Sequence, residues 1–161
     1  GDFEAAVKSL HLVVKGQPGL PDPYHVLTLI YEETGQQKKC LDAMLLSAYF
    51  TPGHESRTIW RRVAAMSKSL GLPDQACYAY KRCIKGHGQR SQEELEAIWE
   101  ISQLYFEKGN TNSGIRFLYM LYEETHNTTM ACELAKKLVA CHRWRECLAL
   151  LEACVEKGRQ K

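Results

Sequence analysis

Seven cysteines and six histidines are the side chains of this 161-residue chain best suited to chemistry, and their spacing decides what chemistry they could support. Cys40, Cys77, Cys83, Cys132, Cys141, Cys147 and Cys154 are odd in number and include no C-x-x-C pair, the spacing that zinc modules and redox motifs need. The nearest approach to a ligand set is His126, Cys132, Cys141 and His142, whose spacing is unlike that of a zinc module. Several cysteines fall instead where a small hydrophobe is wanted, which a reduced thiol supplies, and a reducing compartment follows. The histidines are scattered, without a Ser/His/Asp or Cys/His set. No glycine loop is built to cradle phosphate, Gly86-His87-Gly88 reading as a link between helices. These patterns predict no catalytic residue, no metal and no cofactor, and a chain that is not an enzyme.

Charge offers a different chemistry, that of recognition. The net charge is only +2, yet it is sorted. Arg57, Arg61, Arg62, Lys68, Lys81, Arg82, Lys85 and Arg90 face Asp74 alone, and from Ser91 to Glu133 eight glutamates face only Lys108 and Arg116. Such polarity suits an acidic peptide on the basic stretch and a basic one beside it. It also suits contacts between neighbouring elements, or a solvated outer face. A pI near 8.2 and the acidic neighbour argue against a continuous basic track, so direct nucleic-acid binding is not expected. No apolar run is long enough to span a membrane, and the amino terminus is not signal-like.

The elements that carry these residues repeat. Pro18 and Pro52 stand 34 residues apart, and between them run Tyr24-x-x-Leu27-x-x-x-Tyr31, Gly35, Cys40, Met44, Ser47 and Pro52. A tetratricopeptide repeat (TPR) has this form: W-x-x-L-G-x-x-Y, a turn glycine, small and bulky residues in alternation, and a closing proline over about 34 residues. The chain resembles that family along its length. Trp60, Val63, Ala64, Gly71, Ala76 and Tyr80 repeat the pattern, as do Ile98, Ile101, Tyr105, Gly109, Gly114 and Leu118, then Ala131, Leu134, Leu138, Cys147 and Leu151. Small residues let the backbones of a hairpin approach, and Tyr31, Tyr80, Tyr105, Leu118 and Leu151 fill the gaps. The expected fold is all-α, a TPR helical-hairpin solenoid forming a right-handed superhelix. Hairpins fall near 21–54, 57–88, 95–126 and 128–158, after a leading half repeat at 1–18. Residues 1–161 form a single array, and the opening half unit reads as part of a larger protein.

First helices of successive hairpins line the groove of such an array. Helical geometry then puts His25, Leu29, Glu32 and Glu33 there, followed by Arg61, Ala65, Lys68 and Ser69, by Trp99, Gln103, Phe106 and Glu107, and by Cys132 and Lys136. The proposed partner contacts are His25, Glu32, Arg61, Lys68, Trp99, Gln103 and Phe106, because charge and aromatic anchors dominate interface energy. Trp99 and Phe106 have an alternative role, packing against a neighbouring hairpin. The carboxylate clamp of heat-shock co-chaperones is missing, since His25, Leu29, Glu96 and Glu100 stand at its places.

A more specific likeness follows from order. Gly1-Asp2-Phe3-Glu4-Ala5-Ala6 precedes Leu27-Thr28-Leu29-Ile30-Tyr31-Glu32-Glu33-Thr34-Gly35, then Leu45-Leu46-Ser47-Ala48-Tyr49-Phe50-Thr51-Pro52 and Ile98-Trp99-Glu100-Ile101. This succession resembles the amino-terminal array of the TPR subunit of the RNA polymerase III transcription factor TFIIIC, over most of residues 1–125. Gly114, where that family has alanine, departs from it. The resemblance implies a nuclear scaffold whose partners are other TFIIIC subunits and TFIIIB, through its Brf and Bdp subunits. The alternative is a generic TPR adaptor in RNA processing or protein quality control.

Overall fold

One turn, built four times, makes the hairpins. In a computed structural model, which describes residues 2–84 and 89–159, the second and third helices are α2 (Pro21–Glu33) and α3 (Gln37–Phe50), after α1 (Phe3–Gly16). At their junction the Gln36 N–H donates to the Tyr31 carbonyl at 2.9 Å and the Gly35 N–H to that of Glu32 at 3.1 Å, with Gly35 left-handed at φ 68°. This closes a helix end with bonds that would otherwise be orphaned. Between α4 (Gly53–Ser69) and α5 (Pro73–Cys83), Leu72 and Gly71 repeat the two bonds to Ser67 and Lys68. Between α6 (Gln92–Glu107) and α7 (Thr111–Thr125), Asn110 and Gly109 donate to Tyr105 and Phe106. Between α8 (Thr128–Ala140) and α9 (Trp144–Arg159), Arg143 and His142 donate to Leu138 and Val139, and here the left-handed residue is not glycine but His142, at φ 57°.

The left-handed residue gives each hairpin a common origin. Five positions beyond it stand Cys40, Ala76, Gly114 and Cys147, all small and all buried, where the two helices of a hairpin meet. Thiols settle there with weak bonds to backbone, Cys40 donating to the Thr28 carbonyl at 3.7 Å and Cys147 to that of Ala135 at 3.9 Å. Burial pushes the Cys40 thiol above its ordinary pKa, with Glu32 adding to the rise.

Two compact units divide the chain, Gly1–Cys83 and Ile84–Lys161. Within each unit, α1 to α5 and α6 to α9, each helix packs on the next in sequence order, and no strand occurs among the described residues. The core of the first unit is led by Leu27, Met44, Trp60 and Val63, that of the second by Ile115, Leu118, Leu134 and Leu138. Helix α4 opens at Gly53, inside the stretch that the repeat template leaves as a link. Ser56 explains this, since its hydroxyl donates to the Ala48 carbonyl at 2.8 Å and seats the first turn on α3. Gly1 and the Gly86-His87-Gly88 link lie outside the described residues.

Leu151 departs from its expected role as a filler. Leu118, nine positions beyond Gly109, is 1% exposed, whereas Leu151, nine beyond His142, is 47% exposed. In α7 that face lies under α8; in α9 it carries Leu148, Leu151 and Val155, each open to solvent.

Candidate interaction surfaces

In the first unit the surface of α2 and α4 holds four of the residues singled out from sequence. His25, Glu32 and Lys68 are exposed and Arg61 is half-buried. Arg62 Nη2 donates to Glu32 Oε1 across the two helices at 2.5 Å, so the acidic member of this surface is paired with a residue that sequence reasoning did not nominate. At this exposure such a pair contributes well under about 1 kcal/mol and acts mainly to fix the register of charge on the two helices.

The second unit holds Trp99, Gln103 and Phe106 on α6, all half-buried. Trp99 and Phe106 pack against the cluster of Ile115, Leu118 and Leu134, so of their two roles the packing one is what this unit displays. Phe106 has close neighbours on two other helices. The Lys137 ammonium sits 4.4 Å from its ring centroid, and a Cβ placed on Gly114 would lie 2.7 Å from the ring. The glycine that departs from the expected alanine is therefore the space in which Phe106 lies. Gln103 donates to the Ser102 hydroxyl at 3.3 Å.

A further feature went unnoticed in the sequence. A cavity of about 750 Å³ is framed by α1, α2 and α3. Leu27, Ile30, Ala43 and Leu46 form one wall and Phe3, Val7 and Val14 of α1 the other. Tyr31 lies at its polar end, its hydroxyl 3.4 Å from His11 Nε2 and its ring 5.8 Å from the Lys39 ammonium. Helix α1 buries no residue fully, so this wall is thin.

Among the described residues no group of three histidine, cysteine or carboxylate side chains is placed to hold a metal ion, and His126, Cys132, Cys141 and His142 form no cluster. All seven thiols are free of disulfides. No helix among the described residues is long and apolar enough to cross a membrane.

Comparison with solved structures identifies the architecture. MamA from Desulfovibrio magneticus RS-1 superposes with a TM-score of 0.53 at 12% identity, covering 100% of this chain and 88% of that one. A Podospora anserina putative kinesin light chain with TPR-like repeats gives 0.56 at 17%, covering 100% and 90%. YrrB, described as a TPR protein with an unusual peptide-binding site, gives 0.55 at 10%, covering 96% and 77%. The fold is an all-α TPR solenoid. At such identities the likeness speaks for fold alone. No family model matches the chain. Among curated proteins, human general transcription factor 3C polypeptide 3 is 27% identical over 110 residues, which are 68% of this chain and 12% of that protein.

Proposed function

We propose that this chain is a non-catalytic interaction scaffold within TFIIIC that helps assemble the RNA polymerase III initiation complex in the nucleus by recruiting TFIIIB. The observation that carries this reading is the 110-residue likeness to a general transcription factor 3C subunit, which agrees with the resemblance drawn from residue order. A TPR fold supports the scaffold part independently, because stacked hairpins present extended surfaces to other macromolecules. The contacts nominated are His25, Glu32, Arg61 and Lys68 of the first unit, with Trp99 and Gln103 of the second. Phe106 of the second unit, half-buried beside Lys137, is nominated with them. An extended or helical partner segment would order as it binds, its acidic residues meeting Arg61 and Lys68.

Affinity capture from nuclear extract tests this. The chain is compared with an Arg61→Glu/Lys68→Glu variant of unchanged helicity. Recovery of TFIIIB or TFIIIC subunits, lost in the variant, is the expected result. Recovery of chaperones or RNA-bound proteins alone would replace it with a general adaptor role.

A further inference from the structure

The junction of α1, α2 and α3 has a counterpart in the second unit, where two phenols pack between the helices. Measured from the left-handed residue of each turn, Gly35 and His142, helices α2 and α3 match α8 and α9; the 34-residue register that carries Pro18 to Pro52 lays α1 on α3, and the step from Gly35 to Gly109 lays α3 on α7. His11 and Val14 of α1 then stand where α7 has Tyr119 and Tyr122. In the second unit those two phenols occupy the space between α7, α8 and α9. Tyr122 is 8% exposed, with its hydroxyl 3.2 Å from Cys154 Sγ, and Tyr119 packs on the same cluster. In the first unit the equivalent place holds the cavity.

We propose that this cavity is a binding site for an aromatic side chain, tyrosine above all, presented by a peptide segment of a partner protein. Its size falls within the range of sites that enclose a ligand. Its walls are aliphatic, while the charges that line it balance, Glu4 and Asp42 against Lys8 and Lys39, so neither a strongly acidic nor a strongly basic segment is selected. What remains is a neutral apolar group. The polar end favours one that carries a hydroxyl: His11 and Tyr31 offer both donor and acceptor there. Phe3 and Leu46 line the cavity yet are each 43% exposed, so its mouth can accept a side chain still attached to a peptide backbone. The site lies apart from Arg61 and Lys68, so it stands or falls independently of the capture experiment.

Backbone-amide NMR on the ¹⁵N-labelled chain tests it, with N-acetyl-tyrosinamide as probe and N-acetyl-alaninamide and p-cresol as comparators. The tyrosine probe should shift the amides of Leu27, Ile30, Ala43 and Leu46 and bind at least tenfold more tightly than the alanine one. Val14→Tyr, which supplies the missing ring from within, should abolish those shifts. Should that variant lose its helical signal, Leu46→Trp at the exposed mouth gives the same readout. Equal response to alanine, or shifts that persist in the folded variants, would overturn the site. Binding of p-cresol without the amide would make the occupant a free small molecule and overturn the peptide. Shifts at these amides on concentrating the chain alone would make the occupant a second copy, and the proposal would fall.

Discussion

The junction of α1, α2 and α3 and that of α7, α8 and α9 are the same construction with different contents. Both use a small residue five places beyond the turn, Cys40 in one and Cys147 in the other, and both bury the aliphatic face of the first helix, Leu27 and Ile30 against Leu134 and Leu138. They differ where the preceding second helix points inward: His11 and Val14 leave about 750 Å³, while Tyr119 and Tyr122 fill the space. Turn and small positions therefore set the hairpin, and the inward positions of the flanking helix are free to vary. A repeat can keep its geometry and gain or lose a cavity by changing two side chains.

Breaking the filled junction should have the largest effect. Tyr122→Val imitates Val14 and removes a ring that is 8% exposed and bonded to Cys154. The lost burial and the cavity left behind should cost about 3 kcal/mol, by analogy with large-to-small core changes. Urea denaturation followed by circular dichroism measures it. A loss below about 0.5 kcal/mol would mean that the rings do not support the second unit and that the comparison is one of shape only.

Gly114→Ala ranks next. The added Cβ would meet the Phe106 ring at 2.7 Å, and the Lys137 ammonium, 4.4 Å from the ring centroid, restricts how the ring can move. Overpacking of this kind costs about 2 kcal/mol. The first unit sharpens the point. There Cys40 occupies the same place without conflict, because Glu32, not a ring, stands three residues before the turn. Phe106→Leu should therefore recover most of the stability in the Gly114→Ala background, and a double-mutant cycle should show coupling well above the error of measurement. Additive losses would sink the account of Gly114.

The reverse change, Val14→Tyr, should fill the first junction and add about 1 kcal/mol, less than Tyr122→Val removes, because α1 buries no residue fully and can offer the ring only partial enclosure. Thermal unfolding of the two chains side by side decides the sign.

These contrasts also show what was legible in the sequence. The hairpins were, because burial of Leu27, Met44, Trp60, Val63, Ile98 and Leu118 follows directly from helical periodicity, and three of the turns announce themselves by glycine. The same periodicity leaves His25, Glu32 and Lys68 outside the core, and all three are exposed. The Phe106 environment could not, since it depends on Gly114 and Lys137 from two other helices and on no spacing within α6. The cavity was harder still. It is a missing volume, and only aligning His11 and Val14 with Tyr119 and Tyr122 would have exposed it. Leu151 misled because periodicity reports which face of a helix is apolar and does not report whether a neighbour covers it.

The smallest expected effect concerns the fourth turn, which kept the geometry and lost the glycine. His142 holds φ 57° with the same two backbone bonds that Gly35 allows at φ 68°. For an L-residue the left-handed region costs about 1–2 kcal/mol, which glycine avoids. Glycine gives part of that back through the greater freedom of its unfolded chain, about 0.5–1 kcal/mol. His142→Gly should therefore stabilise the second unit by about 0.5 kcal/mol, and Gly35→His should destabilise the first by a similar or larger amount. The histidine ring complicates the first change by its contact with Trp144, whose ring centroid lies 5.8 Å away. Trp144 is 57% exposed, so little burial is lost with the histidine, and backbone strain decides the sign. Chemical denaturation of both variants measures the pair. A His142→Gly variant less stable than the parent chain would mean that the ring contact, not the turn geometry, holds α9 against α8.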